Sequence, residues 1–281
     1  MPIPDVMPVS GWRDIQCLMV KSKNFSDFDV AEKLMAGRKF KYAQSFMHLR
    51  AGVEFLFENL EMEKRRVIFP KYICGSVVRA AERAGVKVNY CEVNSEGQMD
   101  IEELKKMPLK DYGAVFFVRT FGNKGEVEKI SELCKKNKLF LIEDCAHSLN
   151  PEKTFGDFVL FHFAKRLANS HGGILISEGI DLPKIKKRTV FFDGLIPVIL
   201  KIGLIRPILN LYRTTKKMPL DNDVNNDKKY SVFLAASEGS KRLLMRRLKM
   251  IDNCEDIYRA YFENLPVEYR AVLSEPIYDF F

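Results

Sequence analysis

The chain of 281 residues is 47% hydrophobic, 29% charged and 11% aromatic. That globular composition excludes intrinsic disorder, collagen, coiled coil and a disulfide miniprotein. The formal net charge of +8 suits an anionic partner, whether nucleotide, nucleic acid or lipid head group, without choosing among them.

The middle of the chain alternates short apolar runs with helical patterns. Phe46 to Leu60 has apolar residues at helical spacing, RRVIFP at 65–70 reads as a strand, and Ser76 to Ala84 as a helix closed by Gly85. VKVNYCEV (86–93) is a second strand and IEELKKM (101–107) a short helix capped by Asp100. GAVFFVRTF (113–121) reads as a buried strand, EVEKISELCKKN (126–137) as an amphipathic helix, and KLFLIED (138–144) as a strand ending in acids. FVLFHF (158–163) and GGILIS (172–177) complete the series. The expected class is α/β, a mostly parallel central sheet sandwiched by helices. Residues 1–220 form a large domain on this reading, and 221–281 a reduced, partial C-terminal α+β domain that is cut short. No internal repeat is evident.

Nine basic residues and one acid fall within 183–217, around the apolar stretch GLIPVILKIGLIRPILNLY. Its uncharged run is far too short to span a bilayer. Residues 190–213 are therefore expected either to lie on an anionic membrane surface or to pack as a lid or dimer-interface helix. The six cysteines are scattered with no C-x-x-C pair, which favours a reducing compartment. The opening MPIPDVMPVSGWRD does not read as a signal peptide. A cytoplasmic protein is expected, peripheral at the inner membrane face if the basic segment binds lipid.

In sheets of this class ligands bind outside the carboxyl ends of the strands. The residues there are Asp144 to His147, Lys165, and Tyr72 to Cys74. All four histidines (His48, His147, His162, His171) fall near these positions. A metal site of Asp144, His147, His162 and His171 lacks the spacing that puts two ligands on one helix face, and no metal is expected. No phosphate-loop or dinucleotide motif is present. A third reading needs an acid at one strand's end and a lysine at another's. Pyridoxal phosphate (PLP) asks for a lysine to hold it and an acid to keep its ring nitrogen protonated, and Asp144 and Lys165 stand in those places. Each residue alone has a plainer explanation: a helix cap for Asp144, a surface charge for Lys165, a satisfied polar residue for His147.

VIFPKYICGSVVRAAERAGVKVNYCEVNSEGQMDIEEL, VRTFGNKGEVEKISELCKKNKLFLIEDCAHSL and KRLANSHGGILIS together resemble the DegT/StrS family of sugar aminotransferases, PLP enzymes of fold type I. The likeness covers roughly 40–180 well and 220–265 loosely. It implies that Lys165 is the catalytic lysine that tethers the cofactor and shuttles the proton. It implies further that Asp144 pairs with the pyridine nitrogen and that His147 contacts the ring and its 3-oxygen. Tyr72 and Cys74 lie in the turn beside the cofactor. Glutamate would supply the amino group and a nucleotide-linked keto sugar would accept it, in a homodimer with no nucleic-acid partner.

The chain also departs from the family pattern. His48-Leu49-Arg50 stands where members carry Ser-Gly-Thr or Ser-Gly-Arg at the helix start that cradles the phosphate. Arg50 offers a fork of donors, while Leu49 removes the glycine that lets backbone approach closely. His162 stands near the place of the family's serine, and the stretch from Asp144 to Lys165 is shortened. A catalytically degenerate homologue acting as a binding or scaffold protein is the rival expectation.

Overall fold

Apolar strands that must leave water on both faces organise the described residues into a sheet covered by helices on each side. The computed structural model describes residues 24–35, 37–148, 153–163, 172–185, 236 and 238–248. In chain order the elements are α1 (Asp27–Leu34), β1 (Tyr42–Phe46), α2 (Leu49–Asn59), β2 (Arg66–Pro70), α3 (Gly75–Arg83), β3 (Lys87–Cys91) and α4 (Ile101–Lys106). Then follow β4 (Ala114–Val118), α5 (Val127–Lys136), β5 (Phe140–Asp144), β6 (Phe158–His162) and β7 (Gly173–Ser177), with a helical stretch at 238–248.

Among the described residues one seven-stranded sheet runs in the order β1-β7-β6-β5-β4-β2-β3. Strands β3, β2, β4, β5 and β6 pair in parallel, and β7 runs antiparallel to both its neighbours. One face carries Tyr42, Phe46, Phe69, Phe116, Ile142, Phe158 and Leu175 under α2 and α3. On the other, Ile68, Val115, Phe117 and Leu141 meet α4 and α5, while Ala43, Val159, Phe161 and Ile174 meet α1 and 238–248. The inner strands β4 and β6 read as continuous apolar runs because both of their faces are covered, whereas edge strand β3 is largely exposed.

The predicted elements stand with adjusted ends. The helix expected over 46–60 starts later: Phe46 is the last residue of β1, paired with Gly173, and His48 is extended at φ −134°, so α2 opens at Leu49. Strand β1 itself carries little local pattern and exists because β7 pairs along it. The strand expected to reach residue 121 stops at Val118, where a turn over Thr120–Gly122 takes over. Gly85 ends α3 at φ +80°, the left-handed conformation glycine adopts without penalty. The boundary expected at 220/221 lies outside the described residues.

Because β3 returns over β2 to β4, the loops leaving β2 and β4 part in opposite directions. Such a divergence opens a crevice at the carboxyl edge of the sheet.

Candidate active site

That crevice holds a cavity of about 420 Å³, within the ordinary size range of small-molecule sites. It is lined from five directions. The start of α2 brings His48, Leu49 and Arg50; the β2–α3 turn brings Tyr72, Ile73 and Cys74, and the first turn of α3 brings Ser76 and Val77. The end of β4 brings Val118 and Thr120, β5 brings Asp144, Ala146 and His147, and β6 brings His162. Every described residue named from the sequence as a site candidate therefore faces one cavity: Leu49, Arg50, Tyr72, Cys74, Asp144, His147 and His162.

Lys165 and His171 lie outside the described residues. Of the described residues on either side of that segment, His162 belongs to the cavity lining and Phe163 is buried in the core. The Phe163 N–H donates to the Gly172 carbonyl at 2.9 Å. Among the described residues no group of three potential metal ligands comes together.

Asp144 is buried, and its Oδ1 accepts the Ala146 N–H at 2.8 Å, which fixes the carboxylate over the turn that follows β5. His147, at the end of that turn, accepts the Phe121 N–H on Nδ1 at 3.3 Å. Helix α2 begins without a side-chain cap from His48, and its first residues line the cavity. Leu49 turns sideways: a Cβ on Gly173 would come within 2.7 Å of Leu49 Cδ1, so the bare glycine of β7 receives the leucine. Leu49 thus packs against the sheet at Gly173 while it also lines the cavity.

Sequence reasoning missed two residues that support this wall. Glu143 accepts Arg119 Nε–H at 2.5 Å, Phe155 N–H at 2.7 Å and Gly156 N–H at 2.9 Å, with the pair only 4% and 0% exposed. Arg119 also donates its backbone N–H to the Asp144 carbonyl at 3.0 Å. Thr120 and Phe121 were read from the sequence as the last residues of a strand, whereas the strand ends at Val118 and both lie in the turn that follows. Phe121 adopts φ 55°, ψ 23°, and its ring lies 6.2 Å from both Tyr72 and His147.

Residues 33–189 match the profile of the DegT/DnrJ/EryC1/StrS aminotransferase family. The UDP-4-amino-4,6-dideoxy-N-acetyl-beta-L-altrosamine transaminase of Campylobacter jejuni is 25% identical over 181 residues, 60% of this chain and 48% of that protein. The GDP-perosamine synthase of Vibrio cholerae is 30% identical over 121 residues, 40% of this chain and 33% of that protein. The chain thus spans less than half the length of these two relatives. Among solved structures, Helicobacter pylori PseC, an aminotransferase involved in the biosynthesis of pseudoaminic acid, superposes with a TM-score of 0.58 at 16% identity, over 93% of this chain and 71% of that one. Spr1654 of Streptococcus pneumoniae, solved in its PMP form, does so with a TM-score of 0.60 at 14% identity, over 93% and 73%. At such identities the structural likeness speaks for the fold, that of fold type I aminotransferases. With the profile covering more than half of its length, the chain belongs to the DegT/DnrJ/EryC1/StrS aminotransferase family.

Proposed function

We propose that the chain is a PLP-dependent aminotransferase that moves an amino group from glutamate to a nucleotide-linked keto sugar, in amino-sugar or surface-polysaccharide biosynthesis. The observation that carries this reading is one cavity at the sheet's carboxyl edge, floored by buried Asp144, flanked by His147 and opened onto the start of α2. The relatives of the preceding section act on nucleotide-linked sugars by their names, which supports the substrate class.

The donor set fits the cofactor. Asp144 is a buried carboxylate suited to a protonated ring nitrogen, and His147, which lines the same cavity, would hydrogen-bond a ring oxygen. Arg50 and the start of α2 suit a phosphate, with Leu49 packed against Gly173 beside them. Tyr72, Cys74 and His162 form the walls. When bound, PLP supplies an electron sink that stabilises negative charge at the substrate carbon losing its proton.

The protein's part is to hold and to move protons. Asp144 keeps a positive charge at the ring nitrogen favourable, which it does best where water is excluded. His147 would hold the ring by a hydrogen bond. Lys165, which is outside the described residues, tethers the cofactor and carries the proton to and from the substrate; as a base it requires a pKa well below its usual ~10.4.

The test is direct. Purified protein incubated with PLP turns yellow, and borohydride fixes the label onto Lys165, whereas Lys165→Ala takes no fixed label. If the wild type takes up no cofactor, the binding or scaffold reading replaces this one. The same reading places the enzyme as a cytoplasmic homodimer without a nucleic-acid partner. Among the described residues no helix is long and apolar enough to cross a membrane. Contact of residues 190–213 with an anionic membrane surface is the remaining proposal for that segment, which lies outside the described residues. Flotation with anionic liposomes in low salt supports it; pelleting away from lipid in low and high salt ends it.

A further inference from the structure

The turn after β4 has an unusual backbone. Phe121 at φ 55° is in the left-handed region, where a phenylalanine is disfavoured, and Gly122 follows at φ 84°. A conformation of this kind persists when its surroundings hold it, and such residues concentrate at working sites. Here the surroundings are specific. The left-handed turn aims the Phe121 N–H at His147 Nδ1, 3.3 Å away, and lays its ring nearly parallel to the imidazole, 18° between planes. The turn is anchored on the same side by Arg119, whose N–H bonds the Asp144 carbonyl and whose guanidinium bonds Glu143.

A nitrogen that accepts a hydrogen bond carries no proton. An imidazole accepting on Nδ1 is therefore neutral and has its proton on Nε2. We infer that Phe121 is a positioning residue: its strained backbone locks His147 as the Nε2–H tautomer, so that His147 serves the site as a hydrogen-bond donor and not as a base. The cofactor part of this inference rests on the proposed function; the tautomer part does not. A donor at Nε2 is also what a glutamine side chain offers at the same reach, and members of the family carry glutamine or histidine here.

The test begins with cofactor-free, nitrogen-15-labelled protein at about pH 8.5, two units above the usual imidazole pKa, where protonation does not intrude. The His147 resonances are assigned by their loss in His147→Gln. The expected result is a single Nε2–H pattern, with a coupling across the hydrogen bond between the Phe121 amide nitrogen and Nδ1. Phe121→Gly keeps the N–H and accepts φ 55° readily, so the coupling survives. Phe121→Pro removes the N–H and the coupling is lost; if that variant fails to fold, the wild-type coupling decides. A tautomer mixture, or an Nδ1–H pattern without coupling, overturns the inference whatever the cofactor does.

With PLP added, His147→Gln keeps the absorbance maximum of the loaded protein close to that of the wild type. His147→Asn, whose amide reaches only the Nδ1 position, shifts it. Equal spectra for both variants overturn the donor role. A wild type that takes up no PLP defeats the proposed function and leaves the tautomer lock to be judged on the cofactor-free spectra alone.

Discussion

Glu143 and Asp144 are neighbours on β5, and their carboxylates work on opposite faces of the sheet. Asp144 lines the cavity, while Glu143 is buried behind it on Arg119 and on the N–H groups of Phe155 and Gly156. Strand alternation separates them, and their duties differ accordingly. Gly156 permits the close approach: a Cβ there would stand 2.8 Å from the Glu143 Cβ and 2.7 Å from the Phe158 carbonyl oxygen.

Substitution should separate the two acids. Glu143→Ala strands a buried guanidinium and two amide donors, and is expected to cost about 3–5 kcal/mol in urea unfolding. Asp144→Asn keeps an oxygen for the Ala146 N–H and should leave stability within about 1 kcal/mol. Its effect appears in equilibrium titration with PLP, where retention is lost. Equal destabilisation by both variants would refute the division of labour.

An ion pair with a buried lysine ties 238–248 to the start of α1, which is itself bonded to β1. Lys241 Nζ, 1% exposed, lies 2.8 Å from Asp27 Oδ1, and Asp27 also receives Ser45 Oγ at 2.5 Å and Gln44 Nε2 at 3.1 Å. Lys241→Met should cost about 3–5 kcal/mol because Asp27 is left without its cation. The double variant Asp27→Asn with Lys241→Met should cost less than the sum of the two single changes, by about 0.5–3 kcal/mol. Thermal and urea unfolding of the four proteins closes the cycle.

Gly173 is tested by its smallest replacement. In Gly173→Ala the new methyl would meet Leu49 Cδ1 at 2.7 Å and the Phe161 carbonyl oxygen at 2.8 Å. Overpacking of this kind is expected to cost about 1–3 kcal/mol. Adding Leu49→Ala relieves the first contact but not the second, so calorimetry should show partial recovery only. Full recovery would mean that the β6 backbone is not a constraint.

The described cysteines divide by burial. Cys74 is exposed at the cavity, whereas Cys91, Cys134 and Cys145 are buried. Burial pushes the Cys91 and Cys134 thiols up to about 12, with acids nearby adding to it, and raises Cys145 well above its usual value. Iodoacetamide at mildly alkaline pH should therefore label Cys74 first of these four, as mapped by mass spectrometry. The same shifts set a pH trend. Above pH 9.0 the unfolded thiols ionise while the buried ones hold their protons up to about 12, so the unfolded state binds fewer protons and stability falls across that window. The urea midpoint should decline with rising pH, and replacing Cys91 or Cys134 by alanine should flatten the decline.

Much of the site was readable before any fold was known. Asp144, His147, Tyr72 and Cys74 sit just past apolar runs, and a parallel sheet gathers such positions at one edge whatever its strand order. Leu49 was readable as a departure but not in its consequence. That it turns onto Gly173, 124 positions along the chain, depends on β7 lying between β1 and β6.

What the residues determined alone was whatever a local period or a cap can encode: the α/β alternation, helix α4 behind Asp100, the end of α3 at Gly85, and the strand ends where chemistry is placed. Tertiary structure decided β1, which becomes a strand through β7, and the Arg119–Glu143 pair behind Asp144. It also decided the left-handed turn that sets Phe121 on His147. Each of these joins groups distant in sequence, and their free energy is realised only once the sheet has brought them together and shut out water.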